Sequence, residues 1–426
     1  PQSQDQLVYE DKAHALRNFY GQTTDDERFL ILNASEGASG ANALYYKDLS
    51  DPKSTIKPIV DNFESEYNVI DNFGDKLLVQ TNKNAPRYRL VLIDPKKPQE
   101  ANWKVIVPES QNVMQGVSTV GGRIIASYMK DATSQVVVYD QNGKQLNTVE
   151  LPTLGTVSGF GGEQKDKETF FTFTSFTYPP TIYRYDVPNN KVTQFRKTEV
   201  NVNTDAFETK QVFYTSKDGT KVPMFIVHKK GLKLDGTNPT YLYAYGGFNI
   251  SMTPSFSIAN MLWLENGGVY AMPNLRGGGE YGEEWHKAGM TPSKQNVFDD
   301  FIAAAEYLIS NKYTSSEKLA VAGGSNGGLL VGAFMTQRPE LAKVALPAVG
   351  VMDMLRFHKF TIGWAWVPEY GSSDDAAQFE NLYKFSPLHN IKEGVKYPAT
   401  MVKTADHDDR VVPAHSFKFI SELQDK

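Results

Sequence analysis

The sequence contains no cysteine, which excludes disulfide bonds, thiolate nucleophiles and cysteine-based zinc sites. No apolar run approaches the roughly 18 residues of a membrane-spanning helix, so we expect no membrane partner. The 44 basic residues are outnumbered by 49 acidic ones, the net charge is −5, and no basic run occurs. This balance disfavours nucleic acid as a partner. The polar N-terminus shows no signal peptide, and the compartment stays open between cytoplasm and periplasm.

The residues around Ser325 form the most informative local pattern. An apolar run at 319–322 predicts a buried strand, the sequence Gly-x-Ser-x-Gly follows at 323–327, and a second apolar run at 329–335 predicts a helix. This pattern is typical of a nucleophile elbow, in which a tight turn exposes a reactive serine. The helix N-terminus would direct N–H groups towards an oxyanion formed there. A glycine-rich helix start is also an ordinary packing device, so the pattern alone leaves both interpretations open.

The N-terminal half contains a repeat. Strand patterns that end at an aspartate recur with a spacing of 46 residues, at Asp48, Asp94, Asp140 and Asp186. Several short strands in each unit of this length are typical of β-propeller blades. Each aspartate precedes turn residues, which favours an Asx turn rather than a metal ligand.

The pattern changes after residue 200 or so. Strands are predicted at 241–245, 268–272, 344–346 and 399–402, with a helix at 299–309. Strands that alternate with helices indicate a mostly parallel sheet with helices on both faces. We therefore predict two domains, a partial β-propeller at 1–203 and an α/β domain at 204–426.

Four segments resemble the ordered motifs of the prolyl oligopeptidase family of serine peptidases. They lie at 243–248 (YAYGGF), 274–282 (NLRGGGEYG), 323–328 (GGSNGG) and 404–413 (TADHDDRVVP). The resemblance implies an α/β-hydrolase domain joined to a seven-bladed propeller, of which four blades lie in this chain. The glycines of the second motif lack the context of a phosphate-binding loop, and we interpret them as a tight turn near the site.

The resemblance also implies a set of catalytic residues. Ser325 matches the nucleophile and Asp408 the acid that orients the base. The backbone N–H of Asn326 and the hydroxyl of Tyr245 match the donors to the oxyanion. Without the resemblance, Tyr245 would be an ordinary sheet tyrosine and Asp408 one of three acids in a solvated turn.

The substrate-binding residues implied by the resemblance are mostly aromatic or apolar. Trp366 would stack on a proline ring, with Phe248, Val351 and Tyr370 lining an uncharged slot that suits an apolar ring without an N–H. Arg410 would bind a substrate carbonyl by charge-assisted hydrogen bonds. Core packing is the alternative role for Trp366 and Phe248. No residue spacing suggests a metal, and no cofactor is expected.

The histidine of a Ser-His-Asp triad is not found in this chain. In the family it follows the acid by a strand and a loop, whereas here the 18 residues after Asp408 are mostly a predicted helix. Neither His407, beside the acid, nor His415, at the start of that helix, fits the role. We therefore expect a central piece of a longer protein, truncated at both ends and nearly inactive as it stands.

The leading functional hypothesis is a monomeric serine endopeptidase that cleaves short proline-containing peptides on the C-terminal side of proline. Three alternatives remain. The elbow alone suits a carboxylesterase equally well, a relative specific for basic residues would share the motifs, and the missing histidine leaves room for a non-catalytic propeller that binds a partner.

Overall fold

The structure is a computed structural model that describes residues 2–38 and 40–426. It comprises two compact units, one formed by Pro1–Ala85 with Arg89–Pro108 and the other by Pro86–Tyr88 with Glu109–Lys426. The two units are described separately below. None of the helices in the described ranges is long and apolar enough to cross a membrane.

The first unit contains two antiparallel sheets of four strands each, in the orders β1-β2-β3-β4 and β5-β6-β7-β8. The strands are β1 (Arg17–Thr23), β2 (Phe29–Glu36), β3 (Asn42–Asp48), β4 (Lys57–Val60), β5 (Tyr67–Phe73), β6 (Lys76–Thr81), β7 (Arg89–Ile93) and β8 (Lys104–Val107). Alternate residues of the central strands, such as Phe29, Ile31, Leu77 and Val79, form one buried cluster. This period of two is what a half-buried strand requires.

The second unit begins with two further sheets of the same kind, in the orders β9-β10-β11-β12 and β13-β14-β15-β16. Their strands are β9 (Val113–Val120), β10 (Arg123–Lys130), β11 (Thr133–Tyr139), β12 (Gln145–Val149), β13 (Thr156–Gly161), β14 (Glu168–Ser175), β15 (Tyr178–Asp186) and β16 (Lys191–Lys197). Four successive four-stranded sheets confirm the predicted blade repeat.

The repeated aspartates form local turns, as predicted. Oδ1 of Asp94 accepts a hydrogen bond from the N–H of Lys96 at 2.9 Å, and Oδ1 of Asp140 accepts one from the N–H of Asn142 at 2.9 Å. In the other two repeats, the Oδ1 atoms of Asp48 and Asp186 likewise accept backbone N–H groups two or three residues ahead. These carboxylates therefore serve the turn that follows their own strand.

A seven-stranded sheet follows, in the order β17-β18-β20-β19-β21-β22-β23. Its strands are β17 (Phe207–Thr215), β18 (Lys221–Lys229), β19 (Thr240–Tyr243), β20 (Val269–Pro273), β21 (Leu319–Gly324), β22 (Val344–Ala348) and β23 (Ala399–Thr400). Five neighbouring strands of the sheet, β20, β19, β21, β22 and β23, are parallel to one another. The remaining two, β17 and β18, are antiparallel to their neighbours. The sheet is therefore mostly parallel, as predicted.

Helices cover both faces of this sheet. They are α1 (Ile258–Glu265), α2 (Glu283–Lys287), α3 (Gln295–Ser310), α4 (Asn326–Gln337), α5 (Val367–Tyr370), α6 (Ala376–Phe385) and α7 (Ala414–Asp425). Along β18, Met224 and Ile226 belong to the cluster that contains α3 and α4, whereas Phe225 and Val227 belong to the cluster that contains α1. Alternation along the strand thus supplies two cores, one on each face.

The predicted domain boundary between residues 203 and 204 lies in the segment that joins β16 to β17. That segment contains one short 3₁₀ turn, Thr204–Ala206. The two compact units do not divide at this boundary, because β9 to β16 belong to the same unit as the seven-stranded sheet. The boundary stays a prediction. Predicted strands 241–245 and 399–402 are shorter in the structure, ending at Tyr243 and Thr400.

Candidate active site

Ser325 lies in the tight turn between β21 and α4, as predicted for an elbow. Its φ and ψ angles are 57° and −118°, a conformation that costs about 1–3 kcal/mol for a residue with a side chain. Its N–H donates to the carbonyl oxygen of Ala348 at 2.9 Å, which holds the turn to β22. A Cβ atom on Gly323 would lie 2.4 Å from the carbonyl oxygen of Gly327. The glycine of the motif is therefore required by close backbone packing.

Tyr245 lies near enough to Ser325 for the serine to affect its ionisation. Burial raises the pKa of Tyr245, and the neighbouring Ser325 opposes part of that rise, so the phenol is neutral at pH 7 and available as a donor. Tyr245 follows β19 and Ser325 follows β21, which are neighbouring parallel strands. Sheet order therefore explains why two residues 80 positions apart in sequence meet.

Asn326 begins α4 and is 1% exposed. N–H groups in the first turn of a helix lack intrahelical partners, so its backbone N–H is suited to an oxyanion. Its side chain links two other predicted site residues. Nδ2 donates to the carbonyl oxygen of Tyr245 at 2.6 Å, and Oδ1 accepts from the hydroxyl of Tyr370 at 2.9 Å.

The predicted slot residues lie in one apolar cluster. The rings of Phe248 and Tyr370 are perpendicular with centroids 5.4 Å apart, and Phe357 lies between Tyr370 and Trp366. Val351 and Tyr370 are each 1% exposed and Trp366 is 6% exposed. Phe248, Tyr370 and Trp366 thus belong to one group of packed rings, and Val351 is buried in the same apolar core.

Trp366 ends a 3₁₀ turn that begins at Gly363, and its neighbour Trp364 differs from it in burial. Trp364 is 38% exposed, whereas Trp366 packs parallel to Phe357 with centroids 6.5 Å apart. Of the two tryptophans, Trp366 is thus the one that belongs to the aromatic cluster.

Asp408 and Arg410 lie in the loop after β23, at the same sheet edge as Ser325. Oδ1 of Asp408 accepts the N–H groups of Arg410 at 3.0 Å and of Val411 at 2.9 Å, which fixes the loop. Arg410 is exposed, and its charge lowers the pKa of Tyr245 to a smaller extent than Ser325 does. Among the described residues, Asp408 makes no hydrogen bond to Ser325, and its role as the acid of the triad stays a prediction.

The histidines nearest the acid in sequence have other partners. His415 is buried, and its Nδ1 accepts the N–H of Asp353 at 3.1 Å. Burial lowers the pKa of His415 to about 4, so it is neutral. His407 is exposed and pairs with Asp406. Within residues 2–38 and 40–426, no histidine hydrogen-bonds to Ser325.

The glycines of the second motif pack against the loop that carries Phe248. A Cβ atom on Gly277, whose φ is +89°, would lie 2.9 Å from the carbonyl oxygen of Gly246. The N–H of Asn249 donates to the carbonyl oxygen of Gly277 at 3.0 Å. The predicted tight turn near the site is therefore present.

Sequence reasoning missed a buried charged cluster beside the slot, formed by Glu369, Lys294 and His286. Glu369 is 4% exposed and Lys294 is 1% exposed. Glu369 lies 83 positions from His286 in the chain, and the three residues follow no common motif, so no local signal identifies them. Charged residues this deeply buried are rare unless paired, and burial could be seen only in the folded structure. The groups of histidine and acidic residues in the described ranges include none that could hold a metal.

Two sequence models of one peptidase family match the chain in succession. The prolyl oligopeptidase N-terminal β-propeller domain matches residues 1–198, and the prolyl oligopeptidase family matches residues 254–426. The chain is 51% identical over 426 residues to a prolyl endopeptidase of Elizabethkingia miricola. It is 42% identical over 435 residues to prolyl oligopeptidase A of Galerina marginata. The alignments cover all of this chain but only 60% and 58% of those relatives.

Solved structures agree with these sequence matches. A prolyl endopeptidase structure superposes with a TM-score of 0.94 at 45% identity and covers 99% of this chain, while this chain covers 62% of it. Prolyl oligopeptidase B from Galerina marginata, bound to a 35-residue hydrolysis and macrocyclization substrate, has a TM-score of 0.95 at 38% identity, with coverages of 100% and 61%. From its propeller sheets, its hydrolase sheet and these matches, the chain belongs to the prolyl oligopeptidase family.

Proposed function

We propose that the full-length protein is a serine endopeptidase that hydrolyses short peptides on the C-terminal side of proline. One observation carries the proposal: Tyr245 and Ser325 follow the neighbouring parallel strands β19 and β21, and Ser325 is near enough to the Tyr245 phenol to lower its pKa. The rings of Phe248, Tyr370 and Trp366 pack in the apolar core of the same sheet. A nucleophile, an oxyanion donor and an apolar slot are the parts that this reaction needs.

The chemistry follows from these positions. The oxygen of Ser325 attacks the carbonyl carbon on the N-terminal side of the scissile bond, and its proton passes to a base oriented by Asp408. The carbonyl oxygen becomes an oxyanion that the hydroxyl of Tyr245 and the backbone N–H of Asn326 stabilise. The same proton goes to the leaving amine as the bond breaks. Water then hydrolyses the acyl-enzyme and returns Ser325 to its free form.

Selectivity for proline is supported by what the slot lacks. Phe248, Val351, Trp366 and Tyr370 present aromatic and aliphatic surfaces, which suit a ring without a charge or an N–H. A basic side chain would need a carboxylate there. The nearest buried one, Glu369, already has both oxygens bonded to other groups. Arg410 would bind a substrate carbonyl at the exposed rim of the site.

A substrate series tests this proposal. Peptides that differ only in having proline, alanine or arginine before the scissile bond are compared by kcat/KM in the full-length protein, with Ser325→Ala as the inactive control. We expect proline to be preferred and the control to lose turnover by about 10⁵-fold or more. Preference for arginine would instead identify a basic-specific oligopeptidase.

Two further outcomes would overturn the proposal. Rapid cleavage of simple esters without peptide turnover would identify a carboxylesterase. Failure of a fluorophosphonate to label Ser325, together with a bound partner protein, would identify a non-catalytic propeller module. Sedimentation of the active protein tests the further proposal that it is a monomer.

A further inference from the structure

Glu369 joins three segments that surround the proposed active site. Its Oε1 atom accepts the backbone N–H of Phe248 at 2.9 Å, and its Oε2 atom lies 2.8 Å from Nε2 of His286. Nζ of Lys294 lies 3.7 Å from the first of these oxygens and donates to the carbonyl oxygen of Gly246 at 3.0 Å. One carboxylate and one ammonium group thus bind two backbone groups of the same short loop.

That loop, residues 246–248, has a backbone that needs external support. Gly246 and Phe248 have φ angles of 66° and 55°, and left-handed conformations are unfavourable for a residue such as phenylalanine. A Cβ atom on Gly246 would lie 2.4 Å from Val297, so the loop also packs closely against α3. Glu369 and Lys294 provide part of the hydrogen bonding that a regular strand would have supplied.

The loop carries the proposed catalytic geometry on both sides. Tyr245, whose pKa is lowered by the neighbouring Ser325, directly precedes Gly246. Phe248 is itself a proposed wall of the slot, and its partner ring Tyr370 directly follows Glu369 in sequence. Nζ of Lys294 lies 5.4 Å from the centroid of the Tyr370 ring. A shift of Glu369 would therefore move the oxyanion donor and the slot together.

We propose that Glu369, held by Lys294 and His286, is a positioning residue that fixes loop 246–248 and with it the Tyr245 hydroxyl. This inference rests on the proposed function, because it assigns Tyr245 and the slot their roles in peptide hydrolysis. Misplacing a preorganised donor by as little as 1 Å lowers the rate substantially.

The charges of the cluster support one ionised arrangement at neutral pH. Burial raises the pKa of Glu369, but His286, Lys294 and the Phe248 N–H outweigh it and hold the pKa below its usual range. Burial lowers the pKa of Lys294 to about 8 against the attraction of Glu369. Burial also opposes the charge on His286, but Glu283 and Glu369 outweigh it and raise the pKa to about 9. The carboxylate is therefore paired with two cations at pH 7.

Other titratable groups face this cluster from the neighbouring elements. Glu283 lies 3.8 Å from Nδ1 of His286, and Lys287 lies 3.5 Å from Glu283, all on α2. Tyr245 and Tyr370 have raised pKa values because both are buried, and the charge of Glu369 adds to the rise in each. As pH rises above neutrality, Lys294 and His286 lose their protons, and the pairing of Glu369 weakens.

The matched pair Glu369→Gln and Glu283→Gln separates positioning from general electrostatics. Each variant removes one carboxylate from His286, but only Glu369 contacts loop 246–248. We expect Glu369→Gln to lower kcat/KM for a proline peptide by about 10- to 100-fold, mostly through kcat, because Tyr245 acts on the transition state. Glu283→Gln is expected to stay within about threefold. Equal losses in the two variants would overturn the proposal.

The pH profile supplies a readout that a purely structural role would not change. Removal of the charge of Glu369 removes an attraction that raises the pKa values of Lys294 and His286. The alkaline limb of kcat/KM is therefore expected to move to lower pH in Glu369→Gln. An unchanged alkaline limb, with kcat reduced only in proportion to the folded fraction measured by circular dichroism, would contradict positioning.

Labelling of Ser325 by a small fluorophosphonate tests the inference apart from proline specificity. Wild-type peptide cleavage and wild-type labelling of Ser325 judge the proposed function, whereas the ratio of labelling rates between wild type and variants judges positioning. We expect labelling of Glu369→Gln to slow by at least about tenfold, and a wild-type rate would refute the inference. If Glu369→Gln does not fold, His286→Gln decides, with a slowing of about three- to tenfold expected and a wild-type rate refuting it.

Discussion

Carboxylates serve opposite purposes in the propeller sheets and in the seven-stranded sheet. In the blades they recur at a fixed spacing and bind the turn next to them, as Asp140 does with Asn142. Around the seven-stranded sheet, two buried carboxylates instead join distant parts of the chain. Glu369 binds a backbone N–H 121 positions earlier, and Asp300 binds Arg276 and Ser216. The comparison shows that the repeated aspartates each stabilise one neighbouring turn, whereas the region around the proposed site depends on single contacts between distant residues.

Redundancy follows from that difference. If one blade loses its turn aspartate, the turns of the other three blades are unaffected. The blade itself keeps its buried strand residues, such as Val136 and Val138. A buried ionic contact has no substitute, because the charge left behind must be desolvated without a partner. Substitutions of equal chemistry should therefore have very different consequences in the two regions.

Asp300→Ala is expected to have the largest effect on stability. Asp300 is fully buried. Its carboxylate accepts hydrogen bonds from the backbone N–H, Nε and Nη2 of Arg276 and from the hydroxyl of Ser216. Removal of one partner of a buried pair costs about 3–5 kcal/mol. Urea unfolding of the full-length protein, followed by tryptophan fluorescence, measures this loss. A loss below about 1 kcal/mol would place Asp300 with the turn aspartates of the blades.

Trp366→Ala tests whether the aromatic cluster near the sheet acts on substrate. Loss of a ring contact costs about 0.5–1.5 kcal/mol, and lost apolar burial adds about 1.5–3 kcal/mol. We expect kcat/KM for proline peptides to fall by about thirty-fold to a thousand-fold, and Trp366→Phe to lose much less. Trp364→Ala is the matched control, because that ring is 38% exposed. A larger loss in Trp364→Ala would reverse the two assignments.

Glu280→Gln is expected to have a smaller effect that depends on pH. Glu280 is buried and accepts the N–H of Met252 at 2.8 Å, and burial raises its pKa from 4.5 to about 7. The folded state therefore binds a proton that the unfolded state releases between these values, and wild-type stability falls as pH rises through this window. The variant carries no such charge, so it should gain up to about 3 kcal/mol relative to wild type above pH 7.

Urea unfolding at pH 4.5 and pH 8 measures this difference between Glu280→Gln and wild type. The gain should be present at pH 8 and nearly absent at pH 4.5, where the wild-type carboxyl is protonated in the folded state. The same stability difference at both pH values would show that the ionisation of Glu280 is not its cause.

Asp186→Ala is expected to have the smallest effect. Its Oδ1 atom accepts from the N–H and the side chain of Asn189 at 3.1 Å, in an exposed turn after β15. Surface substitutions of this kind change stability only slightly. The unfolding temperatures of Asp186→Ala and Asp300→Ala, each measured against wild type, compare the two regions directly. A loss as large as that of Asp300→Ala would show that the repeated aspartates are not locally independent.

Much of the fold was predictable because it depends on short-range patterns. The 46-residue spacing of Asp48 to Asp186 predicted four blades, since each blade repeats one arrangement of strands and a turn. The elbow at Ser325 was predictable because its glycines are adjacent to the serine and are required by sterics. Strand ends were less accurate: the strand before Tyr245 ends at Tyr243, where the chain turns towards the site.

The sequence by itself determined the elements whose causes lie within a few residues of one another: the blade strands, the Asx turns, the elbow and the helix that follows it. Only the tertiary structure decided which distant side chains meet. Nothing local marks Glu369 as the partner of Phe248, Lys294 and His286, or Trp366 rather than Trp364 as the ring in the aromatic cluster. Burial and sheet order determine these contacts. A buried charge is unfavourable unless it is paired, and its partner can come from any part of the chain that the fold brings near.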